Sequence, residues 1–261
     1  MAEYIDVPEA RGRSGMRLVL TAGVPGPWGE AAKAVLHVKK IPFVKVRQEA
    51  GGENRDLEAW TGQTSAPVAV WNDEPPRTTS RDILFLAERV APEPALLPAD
   101  EEDRVTVLGL CDEIHGELGF GWCRRLMLFD GVLPHVDPAS SSPAAAGVVR
   151  MGRKYGYDPA GVKSAKARCV DILRLLAARL EAQRAASRRF LVGDGLTAAD
   201  LYWATFAALL EPLPHELCPM PSGMRQMYTV TDEDLRAAAG AGLIEHRDAI
   251  YREFLELPVD F

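Results

Sequence analysis

The chain has 261 residues, of which 47% are hydrophobic and 26% are charged, and this balance excludes disordered and fibrous proteins. Its net charge of −7 argues against nucleic acid or an anionic membrane surface as the main partner. No apolar run approaches the roughly 18 residues that span a bilayer, and the four cysteines lack CxxC spacing, so we expect a cytoplasmic protein.

The first third of the chain is typical of a leader followed by a small α/β domain. Residues 1–15 are polar and are expected to be a flexible leader. The domain, residues 16–91, opens with a strand at 17–21, which a Gly/Pro-rich stretch at 22–27 ends before a helix begins at Trp28. The further expected elements are a strand at 43–46, a helical fragment at 57–60, a strand at 68–71 and a helix from Ser80 that ends before Pro92.

A Pro/Ala-rich linker at 92–100 separates this α/β unit from residues 101–261, where strand signals disappear. Helical patterns run through 101–130, 162–185, 198–211 and 232–256. The Ser/Ala/Pro-rich stretch at 138–146 is typical of a long loop. We therefore expect an all-helical second domain.

Residues 61–80, TGQTSAPVAVWNDEPPRTTS, carry the most informative pattern in the chain. Pro67 opens a short apolar strand, and an Asn-Asp turn follows it. A proline at this place is a positional signal, because it cannot donate to a sheet ladder, and it is a candidate for the cis isomer.

A second pattern, FLVGDGLTAADL, occupies residues 190–201. Thr197 and Asp200 stand three residues apart before an apolar helix, which is the spacing of a capping box. We expect this pair to be buried and structural.

Both segments resemble the glutathione transferase superfamily, and the TGQ segment is also similar to the TGQxTVP segment of glutaredoxins. The matches follow the family order from about residue 17 to 211. The resemblance implies a thioredoxin-like α/β N-terminal domain, an all-α C-terminal domain, and a homodimer. It also implies glutathione, or another low-molecular-weight thiol, as cofactor, without a metal.

The resemblance also implies roles for residues of the cofactor site. The backbone of Ala66, before Pro67, would pair with the cysteinyl unit of glutathione, and Ser80 would bind the γ-glutamyl carboxylate at a helix start, where anions are favoured. Gln63 would serve the glycine end, and Thr79 stands where an acidic residue is usual. Two alternatives stay open: Ser80 as a helix cap only, and Gln63 as a solvated loop residue.

The catalytic position departs from the family pattern. Relatives place a Tyr, Ser or Cys near the end of the first strand, but the alternative alignments put Ala22 or one of residues 24–26 there. Thr21 supplies the nearest hydroxyl and is a catalytic candidate that either stabilises the thiolate or only packs in its strand, and Trp28 either walls the site or packs on the sheet. Backbone N–H groups that open the first helix could also stabilise a thiolate.

The second-substrate pocket is expected in the helical half. His115 and Trp122 are seven residues apart and would share one face of a long helix, where each lines the pocket or belongs to the core. The arginine pair on that helix is expected to be solvated, Cys123 to be a small buried hydrophobe, and the tyrosines after the loop to form a lid. These further candidates are Cys123, Arg124, Arg125, Tyr155 and Tyr157.

These patterns favour an enzyme that adds a thiol cofactor to a small hydrophobic electrophile. The alternatives are a non-catalytic binding or interaction protein with the same fold, and a glutathione-dependent isomerase or lyase. The five histidines lack the spacing of metal ligands, so no metal site is expected.

Overall fold

A computed structural model of the chain describes residues 3–137 and 142–261. The N-terminal part contains a three-stranded sheet with helices on both faces. Its elements are α1 (Val7–Arg11), β1 (Met16–Thr21), α2 (Pro27–Val38), β2 (Phe43–Gln48), α3 (Arg55–Thr61), β3 (Val68–Trp71) and α4 (Ser80–Val90). From β1 onward the order of strands and helices is the predicted one, and β3 has the predicted bounds.

The sheet is built around β1, with the strand order β2-β1-β3. β1 runs parallel to β2 and antiparallel to β3. Because successive side chains of a strand point to opposite faces, Leu18 packs under α2 and α4 while Val19 packs with Val46 and Val68 on the other face. Each aliphatic side chain buried in this way contributes about 1.5–3 kcal/mol.

Part of the segment expected to be a flexible leader instead packs against the sheet, from Tyr4 to Ala10. The N–H of Ile5 donates to the carbonyl of Lys45 over 3.0 Å, and the carbonyl of Ile5 accepts from Arg47. Val7 and Ala10 of α1 are buried. The expectation was wrong for these residues because the few apolar residues that anchor them are too irregularly spaced to show a periodic pattern.

The second half of the chain is helical, as predicted. Its helices are α5 (Glu101–His115), α6 (Phe120–Asp130), α7 (Pro143–Lys154), α8 (Val162–Ala185), α9 (Ala198–Phe206), α10 (Ser222–Tyr228) and α11 (Glu233–Phe254). Within the described ranges, no helix is long and apolar enough to cross a membrane.

The single helix predicted over 101–130 is two helices, α5 and α6. A side chain at Gly119 would place its Cβ 2.8–2.9 Å from three backbone oxygens, and Leu118 has a positive φ of 62°. The chain therefore turns between the helices, and His115 and Trp122 do not share a helix face. That expectation was wrong because it extended one helical period across the glycines.

α7 and α10 were not predicted. Residues 143–146, expected in a loop, form the first turn of α7, with Pro143 at its first position, whereas residues 138–141 of that predicted loop lie outside the described ranges. α7 escaped prediction because its buried residues are glycines, Gly147 and Gly152, rather than a stripe of large apolar side chains.

The capping box at the start of α9 is confirmed. The carboxylate of Asp200, which is fully buried, accepts from the N–H of Thr197 over 2.9 Å and from the N–H of Leu191 over 2.8 Å. Nε2 of His246 on α11 lies 2.9 Å from the same carboxylate. This network ties α9 to α11 and to the preceding loop, so its role is structural.

Candidate functional site

The Ala66-Pro67 peptide bond is cis, as the sequence suggested. The ladder between β1 and β3 ends at the Val19–Val68 pair. Beyond it, the backbone of Ala66 makes no hydrogen bond to any described residue. An unpaired, half-buried N–H and C=O next to a sheet can pair with the backbone of an added peptide.

An antiparallel bridge links the strand that follows Ala66 to the segment that leads to Ser80. It joins Ala69 to Arg77, with backbone hydrogen bonds of 2.9 and 2.8 Å. Ala66 lies three residues before the bridge on one segment, and Ser80 lies three residues after it on the other. The bridge thus joins the two segments that carry residues assigned by the sequence to the cofactor.

Ser80 is not the cap of α4, so that alternative was wrong. Thr79 caps the helix: its Oγ1 accepts from the N–H of Asp82 over 3.1 Å and donates to the carboxylate of Asp82 over 2.7 Å. The hydroxyl and the N–H of Ser80 make no hydrogen bond to a described residue, while its carbonyl accepts from the buried hydroxyl of Tyr202 over 2.9 Å. Ser80 is therefore held in place from behind, with two donors left for a ligand.

Gln63 lies in the loop before the cis peptide bond. Its backbone N–H donates to Oγ1 of Thr61 over 3.2 Å, and its half-buried side chain makes no hydrogen bond to a described residue. The side chain amide is available for a ligand, but a solvated role stays equally open.

Thr21 is bonded within the protein. Its hydroxyl donates to Oε1 of Gln48 over 2.6 Å, and the amide nitrogen of Gln48 donates to the carbonyls of Glu49 and Thr64. That amide orientation leaves Oε1 as the acceptor for Thr21. The hydroxyl proton of Thr21 is therefore donated to Gln48 and is not free to stabilise a thiolate.

The first turn of α2 has free donors. Its cap residue, Gly26, supplies no side chain, and Pro27 occupies the first helical position. The N–H groups of Trp28 and Gly29 therefore have no partner within the helix. Such a helix start favours a negative charge, which is what a thiolate carries.

Trp28 joins the two halves of the chain. Its Nε1 donates to the carbonyl of His115 over 3.0 Å, and its ring packs edge-on against Phe206 with 4.9 Å between centroids. It is therefore a wall between the start of α2 and the helical half, and it offers no proton to a thiol.

His115 belongs to the core beneath Trp28. Its ring packs on Tyr202 with 5.0 Å between centroids, and its Nε2 is buried without a hydrogen-bond partner among the described residues. Burial lowers the pKa of His115 to about 4, so the ring is neutral near pH 7. This burial fits the core alternative for His115, and its role in a substrate pocket stays a prediction.

Trp122 lies in an aromatic cluster that faces α2. The cluster comprises Trp28, Trp122, Phe129 and Tyr155. Tyr155 is its centre, with ring centroids 4.6 Å from Trp122, 5.6 Å from Phe129 and 6.1 Å from Trp28. Tyr157 instead donates to the carboxylate of Asp130 over 2.8 Å.

The arginine pair of α6 is not solvated as expected. Nε of Arg124 donates to the carbonyl of Leu209 over 3.0 Å, and the residue is only 5% exposed. Arg125 turns toward the aromatic cluster, with its Cζ 5.7 Å from the centre of the Trp28 ring. One residue of the pair is thus structural, and the other lies at the candidate site.

α7 contacts the loops that flank the cofactor residues. Nζ of Lys154 donates to Oγ of Ser65 over 2.7 Å, and Nη1 of Arg150 donates to the carbonyl of Gly51 over 2.5 Å. A Cβ on Gly51 would lie 2.9 Å from the Cα of Gly147, so the two backbones touch. The sequence did not predict these contacts, because it did not predict α7 itself. Lys154 and Ser65 are also far apart along the chain, so no local pattern links them.

Other features do not add to this site. The described residues hold no group of three or more His, Cys, Asp or Glu side chains placed to bind a metal. A cavity of about 40 Å³ lies near the C-terminal tail, lined among others by Glu30, Lys33 and Tyr251. All four cysteines are free and buried.

A mixed β2-β1-β3 sheet with a cis proline before β3, followed by a helical half, defines the fold of the glutathione transferases. Solved structures of that class match the chain along most of its length. A glutathione S-transferase from Methylobacterium radiotolerans in complex with glutathione sulfonate is 18% identical, with 91% of each chain covered and a TM-score of 0.60.

Two further structures show the same fold. A beta-etherase from Sphingobium is 18% identical, with 91% of this chain and 95% of that chain covered and a TM-score of 0.60. A glutathione S-transferase from Methylobacillus flagellatus with GSH bound is 15% identical, with the same coverages and a TM-score of 0.61. No protein-family model and no curated protein matches the sequence.

Proposed function

We propose that the chain is a member of the glutathione transferase superfamily that binds glutathione and adds its thiol to a small hydrophobic electrophile. One observation carries the proposal: the backbone of Ala66 and the hydroxyl and N–H of Ser80 are unpaired among the described residues, and the Ala69–Arg77 bridge joins the two segments that carry them. The solved structures with glutathione or its sulfonate bound share the fold and support this choice of ligand.

Each group of the proposed site has a role that its chemistry permits. The N–H and C=O of Ala66 pair with the cysteinyl backbone, which fixes the peptide in register. The hydroxyl and N–H of Ser80 hold the γ-glutamyl carboxylate, aided by the start of α4. Gln63 binds the glycine end, and the neutral Thr79 acts on the site only by capping α4.

Bound glutathione supplies the thiolate that attacks the electrophile. We propose that the N–H groups of Trp28 and Gly29 hold this charge, since the cap residue Gly26 has no side chain and no described residue accepts from them. A thiol at a helix start has a pKa of about 3.5–7.5, against about 8.5 for a free cysteine. Trp28 and Trp122 wall the apolar side, where they exclude water.

Ligand-dependent stabilisation tests the binding step. We expect millimolar glutathione to raise the Tm of the wild type, since a ligand at 100 times its Kd adds about 2.7 kcal/mol to the unfolding free energy. Ser80→Ala removes a charge-assisted hydrogen bond and should raise the Kd about 10-fold or more.

The matched control is Ser164→Ala, since Ser164 is an exposed residue of α8. It should bind glutathione as the wild type does. An unchanged Tm of the wild type at millimolar glutathione would rule out the proposed ligand, and equal affinities of the Ser80 and Ser164 variants would rule out the role of Ser80.

A non-catalytic glutathione-binding protein is the second candidate. The hydroxyl of Thr21 is engaged by Gln48, and residues 22–30 contain no Tyr, Ser or Cys, so neither the end of β1 nor the start of α2 offers a free hydroxyl or thiol to activate glutathione. Thiolate absorbance measured against pH separates the two candidates. A pKa of bound glutathione below about 7.5 favours the enzyme, and an unshifted pKa favours the binding protein.

A further inference from the structure

Arg125 is a cation without a carboxylate counter-ion among residues 3–137 and 142–261. No described Asp or Glu lies within ion-pair distance of its guanidinium, and its Nε is sealed from solvent with no hydrogen-bond partner among the described residues. Two other arginines, Arg17 and Arg225, also have a buried free Nε, but both direct their Nη atoms to backbone carbonyls. For Arg125 the described part of the chain supplies no backbone carbonyl as acceptor.

The groups around Arg125 are aromatic rings and two hydroxyls. Its Cζ lies 5.7 Å from the centre of the Trp28 ring and 5.9 Å from that of Tyr228. The hydroxyls of Tyr228 and Tyr155 are its polar neighbours. Burial raises the pKa of Tyr155, so this hydroxyl keeps its proton and can donate it.

An isolated buried charge is costly unless something compensates it. Ring faces offset part of that cost by cation–π attraction. The guanidinium and the two phenol hydroxyls beside it are donors that suit the same partner, which is an anion. Carboxylates fit best, because the planar guanidinium binds them with two parallel hydrogen bonds.

This cluster of donors lies at the wall of the candidate site. Trp28, which Arg125 touches, belongs to the first turn of α2, where the thiolate is proposed to lie. Tyr155, the other neighbour of Arg125, packs on Trp122 and is half-buried. The cluster of donors therefore reaches the surface.

We propose that Arg125, Tyr155 and Tyr228 bind the carboxylate of an aromatic second substrate whose ring stacks within the cluster of Trp28, Trp122, Phe129 and Tyr155. The catalytic consequence rests on the proposed function, whereas the binding of the acid does not require glutathione. The electrophile is then an aromatic acid rather than a neutral hydrophobe.

Two aromatic probes of almost equal shape test this assignment: 2-naphthoate, which is anionic, and 2-naphthamide, which is neutral. Calorimetric titration without glutathione should give a lower Kd for naphthoate than for naphthamide. Arg125→Met should raise the Kd of naphthoate about 10- to 100-fold and change that of naphthamide less than about 2-fold.

Arg153→Met is the matched control, because Arg153 is exposed on α7 and the same charge is removed. Tyr155→Phe, which removes one donor and keeps the ring, should raise the Kd of naphthoate about 3- to 10-fold. This milder variant covers the case in which Arg125→Met does not fold.

Three outcomes overturn the proposal: wild type that binds no naphthoate, wild type that binds both probes equally, or variants of Arg125 and Arg153 that lose affinity equally. Because glutathione is absent from these titrations, failure here leaves the thermal-shift result for glutathione untouched. The two proposals can thus fail separately.

Discussion

The hydroxyl of Thr21 can donate its proton to Gln48 or to a bound thiolate, but not to both at once. It donates to Oε1 of Gln48 over 2.6 Å, and Gln48 is only 5% exposed. Turning the hydroxyl toward a ligand would leave a buried amide oxygen unpaired, which costs about 1–3 kcal/mol. Backbone N–H groups at the start of α2 carry no such cost.

Thr21→Val separates these two sources of activation. We expect the unfolding free energy to fall by about 1–3 kcal/mol, because Oε1 of Gln48 loses its donor. The pKa of bound glutathione should stay as in the wild type. Urea unfolding measures the first quantity and thiolate absorbance the second. A thiol pKa raised by one unit or more in the variant would assign the activation to Thr21 after all.

Among elements, α7 has little apolar hold on the core, yet it contacts the loops that flank the cofactor residues. Its buried residues are Gly147 and Gly152, so apolar burial contributes little to its position. Polar contacts from Arg150 and Lys154 replace it. An element held in this way is expected to open at a lower free energy than α8 or α9.

Gly147→Leu tests this view of α7. A Cβ at Gly147 would lie 3.3 Å from the carbonyl oxygen of Gly51, which is tighter than an ordinary contact, so a leucine requires a shift between the helix and the loop. We expect faster hydrogen exchange in α7 and a stability loss of about 1–3 kcal/mol. Gly223→Leu is the control, since a Cβ at Gly223 meets nothing within 4 Å. Equal exchange of α7 amides in both variants would contradict the contact.

Elements with a regular pattern of apolar residues were predicted well, and elements without one were not. β3 and α8 match their predicted bounds because Val68–Trp71 and the stripe through Leu173 are regular. The break between α5 and α6 depends on backbone crowding at Gly119, which no periodicity reveals. At the site, Ser80 and Ala66 could be found by pattern. The contact of Arg125 with Trp28 could not, since it joins residues of different halves.

At the scale of the whole molecule, the candidate site depends on contacts between the two halves. The hydroxyl of Tyr202 on α9 holds the carbonyl of Ser80, and Trp28 donates to the carbonyl of His115. The helical half therefore positions one proposed anchor for glutathione and one wall of the cleft. Substitutions at the contacts between the two halves should therefore change the affinity for glutathione, as should substitutions of the residues that touch the ligand.

Tyr202→Phe tests this coupling. It leaves the buried carbonyl of Ser80 without its donor, so we expect a stability loss of about 1–3 kcal/mol and a weaker affinity for glutathione. Tyr157→Phe is the matched control, because its hydroxyl bonds to Asp130 within the helical half. Titration calorimetry with glutathione compares the two variants. If both bind glutathione equally well, Ser80 keeps its position without Tyr202, and the two halves are not coupled through that hydrogen bond.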